Sequence, residues 1–143
     1  MEIRKARSTD AESIHKLSWQ LGYSPNLETI KNNIESMVSH DDYELVVAVD
    51  DSNQVVGWMS LAVRLRIEDV PFLQVAALVT DEKIRGKGIG RLLMDHAGKV
   101  AQKRSLPFIG LHSSKPRTDA HSFYEHIGYQ KAKESFFFRK DMR

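Results

Sequence analysis

Residues 77–93 read ALVTDEKIRGKGIGRLL: the end of an apolar run, a glycine-dense turn and the start of an amphipathic stripe. Its first part belongs to an apolar run from Phe72 to Thr80, rich enough for a strand buried on both faces. Its last part opens a helix: Ile89, Leu92, Leu93, His96, Ala97, Val100 and Ala101 recur at i, i+3, i+4, i+7 and i+8. Between them lies Arg85-Gly86-Lys87-Gly88-Ile89-Gly90-Arg91, which holds three of the chain's eight glycines. Glycine permits positive φ and lets a backbone approach a ligand with no Cβ in the way. Amides at a helix N-terminus lie on the positive end of its dipole and favour an anion. From Lys83 through Arg104, seven Lys or Arg (positions 83, 85, 87, 91, 99, 103 and 104) stand against one acid, Asp95. Nearly all the excess positive charge therefore surrounds the turn. Such a turn can serve tight packing alone, but the basic cluster favours a phosphate-bearing ligand.

Two phosphate motifs are excluded by spacing. A Walker loop needs G-x-x-x-x-G-K-[ST], which is absent along with its Mg²⁺-holding hydroxyl. The dinucleotide fingerprint G-x-G-x-x-G fails after Gly88 and Gly90 because Leu93 takes the last place. The pattern present is R-x-x-G-x-G at Arg85, Gly88 and Gly90.

Working outward, Ile3–Ala6 predicts a first strand, and Thr9-x-x-Glu12 fits a capping box ahead of Ala11, Ile14, Leu17 and Leu21 at helical spacing, with Gly22 as a stop. A second helix starts near Pro25, with Leu27, Ile30, Ile34 and Val38 on one face. Tyr43–Val49 and Val55–Leu65 form a hairpin about the Asp50-Asp51-Ser52-Asn53 turn. Beyond the central helix come a strand at Phe108–His112, a helix at Ala120–Ile127 stopped by Gly128, and a last strand or strands over Tyr129–Arg139. The order β-α-α-β-β-β-α-β-α-β predicts a mixed α/β fold. The sheet is antiparallel early, and two β-α-β passages add parallel neighbours.

The 143 residues suit one domain, residues 1–143, without a dividing linker. A hydrophobic fraction of 41% against 28% charged residues is ordinary globular composition. A net charge of +2 is too balanced for a nucleic-acid coat, and there is no single-strand stacking platform, so no nucleic-acid partner is expected. The absence of cysteine removes disulfides, thiolate metal sites and a catalytic thiol. No apolar run approaches the ~20 residues that cross a bilayer, and the charged N-terminus lacks a secretory segment. No membrane partner and a cytoplasmic location are expected.

The stretch at 77–93 together with AHSFYEHIGY at 120–129 and QLGY at 20–23 resembles the GNAT superfamily of acyl-CoA N-acyltransferases, over essentially the whole chain. The local string R-x-D-A-H-x-F-Y, Arg117 to Tyr124, matches a variant subgroup of it. The resemblance implies a mixed central sheet of six or seven strands flanked by four helices, and acetyl-CoA as co-substrate. It implies that backbone amides of Gly86, Lys87, Gly88, Ile89, Gly90 and Arg91, with Arg85, hold the pyrophosphate. Leu78, Val79 and Thr80 would pair with the pantetheine arm, one of their amides polarising the thioester carbonyl. Tyr124 would protonate the departing thiolate; a phenol with a pKa of about 10 keeps its proton at neutral pH. Many members carry a cofactor-contacting asparagine where this chain has Arg117, and a carboxylate where it has Gln74. Gln74 cannot accept a proton.

Without a thiol, direct attack of an amine in a ternary complex is the economical mechanism. Glu68, Asp69, His112 and His121 are candidate bases, each better suited to a surface or capping role. His96 reads as a helix-face residue. No His/Asp/Glu grouping has metal-ligand spacing, so no metal is expected. From Glu28 to Val55, seven acids stand against Lys31, a solvated face or a steering field for a cationic amine. Trp19, Tyr23 and Trp58 suit either a core or an acceptor pocket. The expected function is N-acetylation of a primary amine, a small amine or an aminoglycoside-like one in preference to protein; the alternative is a non-catalytic acyl-CoA-binding regulatory module. Phe136, Phe137 and Phe138 carry more apolar surface than one strand face needs, which points to a homodimer through the C-terminal strands.

Overall fold

The structure is a computed structural model that describes residues 1–20, 22 and 25–142. Leu21 and Tyr23, assigned above to the first helix and the acceptor region, lie outside the described residues. The chain divides into two compact units, Met1–Leu111 and His112–Arg143.

The first unit is built on a five-stranded sheet in the order β1-β2-β3-β4-β5: β1 (Glu2–Lys5), β2 (Tyr43–Val49), β3 (Val55–Arg64), β4 (Phe72–Thr80) and β5 (Ile109–Leu111). The first four are antiparallel neighbours; β4 and β5 are parallel. The β2–β3 hairpin closes as its turn residues dictate. Asp50 Oδ1 accepts from the amides of Ser52 and Gln54, and Asn53 takes φ +62°.

Helices α1 (Ala11–Trp19) and α2 (Leu27–Val38) cover one face. Ala11, Ile14, Ile30 and Ile34 pack there on Leu45, Val47 and Val49, with half-buried Trp58 joining them. Helix α3 (Ile89–Lys103) covers the other, burying Ile89, Leu93, Met94, Ala97, Val100 and Ala101. Leu93 is fully buried, which contributes about 2 kcal/mol and fixes the start of α3 on the sheet. The strand buried on both faces is β2, from Leu45 to Val49, rather than β4. Only Leu73 and Val75 near the start of β4, and Val79 near its end, are buried, because much of its length lacks a neighbour on one side.

Two capping expectations meet different outcomes. Asn26 caps α2, its Oδ1 accepting from the Thr29 amide at 2.7 Å. The Thr9–Glu12 box does not form. A 3-10 turn at Ser8–Asp10 precedes α1, and Asp10 accepts from the Arg7 amide at 2.7 Å. Asp10 wins because Arg4 holds it bidentately, at 2.8 and 2.8 Å, in a site where the carboxylate is buried.

Acidic Glu28, Glu35, Asp41, Asp42 and Asp51 are exposed, as a solvated face requires, but Glu44 is not part of it. His96 Nε2–H donates to Glu44 Oε2 at 2.6 Å, tying α3 to β2. That hydrogen bond holds the Glu44 carboxyl below its ordinary range, against the opposing pull of burial.

The second unit contains α4 (Thr118–His126), followed by Gly128 at φ +101°. Residues 129–142 form no strand, so among the described residues the sheet has five strands where six or seven are expected, and one parallel pair instead of two. Three consecutive phenylalanines cannot share one face of a pleated strand. Phe136, Phe137 and Phe138 are 84, 91 and 89% exposed. The four α-helices and the mixed α/β character are as expected.

Candidate active site

The site in the first unit arises from how briefly β4 and β5 stay together. They pair only through Leu73–Ile109, Gln74–Gly110 and Val75–Leu111. Their start is pinned: the Phe72 and Phe108 rings stack at 4.8 Å, and the Arg66 guanidinium lies 4.6 Å over the Phe72 ring. Gly110 makes this possible, since a Cβ there would come within 2.9 Å of Phe72. Beyond Val75 the β3–β4 register skips Ala76, a bulge that increases local twist. From Ala76 to Thr80, β4 keeps β3 on one side and, among the described residues, has no strand on the other. Leu78, Val79 and Thr80 lie on this free-edged half.

The chain then turns into α3. Asp81 N–H donates to Val56 O, Glu82 N–H to the Gln20 side chain, Lys83 N–H to Asp81 Oδ1, and Ile84 N–H to Asp81 O. After these, none of the amides from Arg85 through Arg91 donates to a described protein group; pairing resumes with Leu92 N–H on Gly88 O. Gly86 and Gly88 hold φ +85° and +77°, and a Cβ on either would meet nothing within 4 Å. These glycines are therefore required by backbone conformation and not by packing. Arg85, Lys87 and Arg91 are exposed. Ile89 is the exception among the predicted turn residues: its side chain is core, so only its backbone amide is available to a ligand. Seven donors with no described protein partner, at and just before a helix N-terminus and beside exposed cations, are suited to an anion.

Gly57 was not singled out in the sequence, yet it seats this turn. A Cβ there would lie 2.9 Å from Ile89 Cγ2, 3.1 Å from Val79 O and 3.3 Å from Leu93 Cδ1. A glycine inside a strand signals such a close approach.

In the second unit, Arg117 precedes α4 and Tyr124 lies within it. Burial pushes the Tyr124 phenol above its ordinary value, with the Arg117 charge opposing. Its ring sits edge-on to Phe123 and Tyr129 at 5.2 and 6.1 Å.

The candidate bases fare less well. Asp69 accepts from the Val70 amide and pairs with Arg66 at 3.4 Å. With Glu68, it precedes the start of β4, roughly 20 Å of strand from Leu78. His121 Nε2–H donates to Ser114 O at 2.9 Å, which supports the loop before α4. His112 is exposed at the head of the second unit. Trp19 is 57% exposed and donates to His15 Nε2. Among the described residues no group of three or more His, Asp or Glu is placed to hold a metal, and no helix is long and apolar enough to cross a membrane.

Residues 9–129 match the model of the acetyltransferase (GNAT) family. An uncharacterized N-acetyltransferase of Bacillus subtilis, YhdJ, is 33% identical over 116 residues, 80% of each chain. The peptidyl-lysine N-acetyltransferase YjaB of Salmonella typhimurium is 26% identical over 136 residues, 91% of this chain and 83% of that one. In fold, the aminoglycoside N-acetyltransferase AAC(6')-Iy, solved in complex with CoA, superposes with a TM-score of 0.86 at 16% identity, covering 97% of this chain and 93% of its own. With the short β4–β5 pairing and the amide turn, these likenesses agree: the chain belongs to the GNAT family and is an acyl-CoA-dependent N-acyltransferase.

Proposed function

We propose that the chain transfers an acetyl group from acetyl-CoA to a small cationic amine, aminoglycoside-like rather than protein, by direct attack in one ternary complex. The observation that carries the cofactor half is the run of unpaired amides from Arg85 to Arg91 beside the free edge of β4. Arg85, Gly86, Lys87, Gly88, Ile89, Gly90 and Arg91 hold the pyrophosphate through backbone donors and flanking charge. Leu78, Val79 and Thr80 offer strand-like hydrogen bonds to the pantetheine arm. One of their amides stabilises the oxyanion as the amine nitrogen attacks the thioester carbon. The C–N bond forms, the C–S bond breaks, and the thiolate takes the Tyr124 phenol proton. The upward shift of Tyr124 supports that role by keeping the acid protonated at neutral pH. Arg117 adds positive charge toward the cofactor. The cationic acceptor gives up one proton to water before it attacks, since Gln74 is no base, and the proton its nitrogen sheds after attack returns through solvent to the Tyr124 phenolate.

The exposed acids Glu28, Glu35, Asp41 and Asp42 support a cationic acceptor by steering. The apolar surface of Phe136 to Phe138 supports a homodimer, because each ring buries about 150–250 Å² when covered; sedimentation showing a monomer at micromolar concentration would refute it.

The test exploits the missing cysteines. Acetyl-CoA and an amine panel are mixed with the protein, and free thiol is followed with a chromogenic disulfide. Amine-dependent release with aminoglycosides or polyamines is expected. Release with lysine peptides alone would overturn the acceptor assignment, and no release with any amine would overturn the transfer reaction.

A further inference from the structure

The amide turn is set from the opposite helical layer by one side chain. Gln20 ends α1, the helix on the far face of the sheet from α3. Its Nε2 donates to Asp81 Oδ1 at 3.2 Å, and its Oε1 accepts from the Glu82 amide at 2.8 Å. The backbone N–H of Glu82 can only donate, which fixes the orientation of the Gln20 amide group. Asp81 Oδ1 also accepts from the Lys83 amide at 3.0 Å, while the Asp81 amide is anchored to Val56 O at 2.9 Å. The four residues that lead from β4 into the turn thus have every amide occupied, and Gln20 supplies one of those acceptors directly and braces another.

We propose that Gln20 is a positioning residue for acyl-CoA, bridging Asp81 and Glu82 so that the loop delivers the Arg85–Arg91 amides unpaired to the ligand. The inference rests on the reading that those amides hold the pyrophosphate. Its chemical requirement is a group that both donates and accepts. A carboxylate at position 20 keeps the acceptor for Glu82 but meets the Asp81 carboxylate with no donor between them. An amide at position 81 then restores the missing donor, with its own carbonyl oxygen still free to accept from Lys83.

The experiment compares wild type, Gln20→Glu, Asp81→Asn and the double variant by calorimetric titration with CoA, and by hydrogen exchange at the Glu82 amide without ligand. Gln20→Glu is expected to weaken CoA roughly tenfold and to speed Glu82 exchange. The double variant is expected to recover to within about threefold of wild type, a coupling that independent sites do not show. An unchanged CoA affinity in Gln20→Glu, or a double variant as weak as the two single losses combined, would overturn the proposal. Absence of CoA binding by wild type would instead overturn the cofactor reading, while Glu82 exchange would still report whether Gln20 holds the loop.

Discussion

Replacing Gly57 by alanine is a sharp mechanical test of how the amide turn is seated. The added Cβ meets Ile89 Cγ2 at 2.9 Å, where carbon atoms rest at about 3.5–4.0 Å. Ile89 must therefore retreat by roughly 0.6–1 Å. The new Cβ cannot escape by the strand side, because Val79 O, 3.1 Å from it, is backbone in the neighbouring strand. Overpacking of this kind costs about 1–3 kcal/mol. For a domain of this size that lowers Tm by roughly 3–9 °C. Because Ile89 begins α3, the first-turn amides move with it, and KM for acetyl-CoA should rise roughly tenfold. Thermal denaturation and steady-state kinetics read the two effects separately. Gly98→Ala is the control: it lies on the same helix, and its Cβ would meet nothing within 4 Å. It should hold or raise Tm and leave KM alone. A Gly57→Ala protein that melts within 1 °C of wild type, with unchanged KM, would refute the seating argument.

Three further outcomes are expected. Gly88→Ala, at φ +77° with open space around its Cβ, should lose about 1–2 kcal/mol from backbone strain alone; Gly88→Asn, which tolerates that conformation, should recover stability in a melt but not CoA affinity in a titration. Tyr124→Phe should lower kcat far more than it raises KM for acetyl-CoA. Because burial lifts the phenol above its ordinary value, the alkaline loss of this acid in the wild-type kcat–pH profile should come at higher pH than for a free phenol. Glu44 is depressed below 4.5 by its bond from His96, so its stabilisation is complete above that pH and lost as pH falls through the folded value. Glu44→Gln should flatten the fall in Tm between pH 5 and pH 3; an unchanged acid slope would remove Glu44 from the account.

What the sequence disclosed was whatever depends on local pattern. The apolar stripe of α3, the hairpin about Asp50, and the glycine turn follow from spacing and conformational preference, and the structure has them at nearly the expected residues. What it concealed depends on partners distant in the chain. Thr9 and Glu12 match a capping box, but Asp10 takes the position because Arg4 lies beside it. Glu44 reads as one more acid on a wet face until α3 brings His96 against it. The end of β4–β5 pairing after Val75 leaves no mark on the apolar pattern of Phe72–Thr80, so burial on both faces was expected there. Gly57 carried the one local hint, a glycine inside a strand, whose cause was visible only with Ile89 in place. At Phe136–Phe138 the β-propensity is high, but consecutive rings give no alternating face.

The proposed pyrophosphate site is the run of backbone amides from Arg85 through Arg91. It is tested most directly by following amide resonances of isotopically labelled protein as CoA is added, with dephosphorylated pantetheine as the comparison. CoA should shift the Gly86, Gly88, Gly90 and Arg91 amides strongly and slow their hydrogen exchange, whereas pantetheine should perturb Leu78 to Thr80 and leave the turn nearly unchanged. Saturating CoA binding with the amides from Arg85 to Arg91 unmoved would contradict the account.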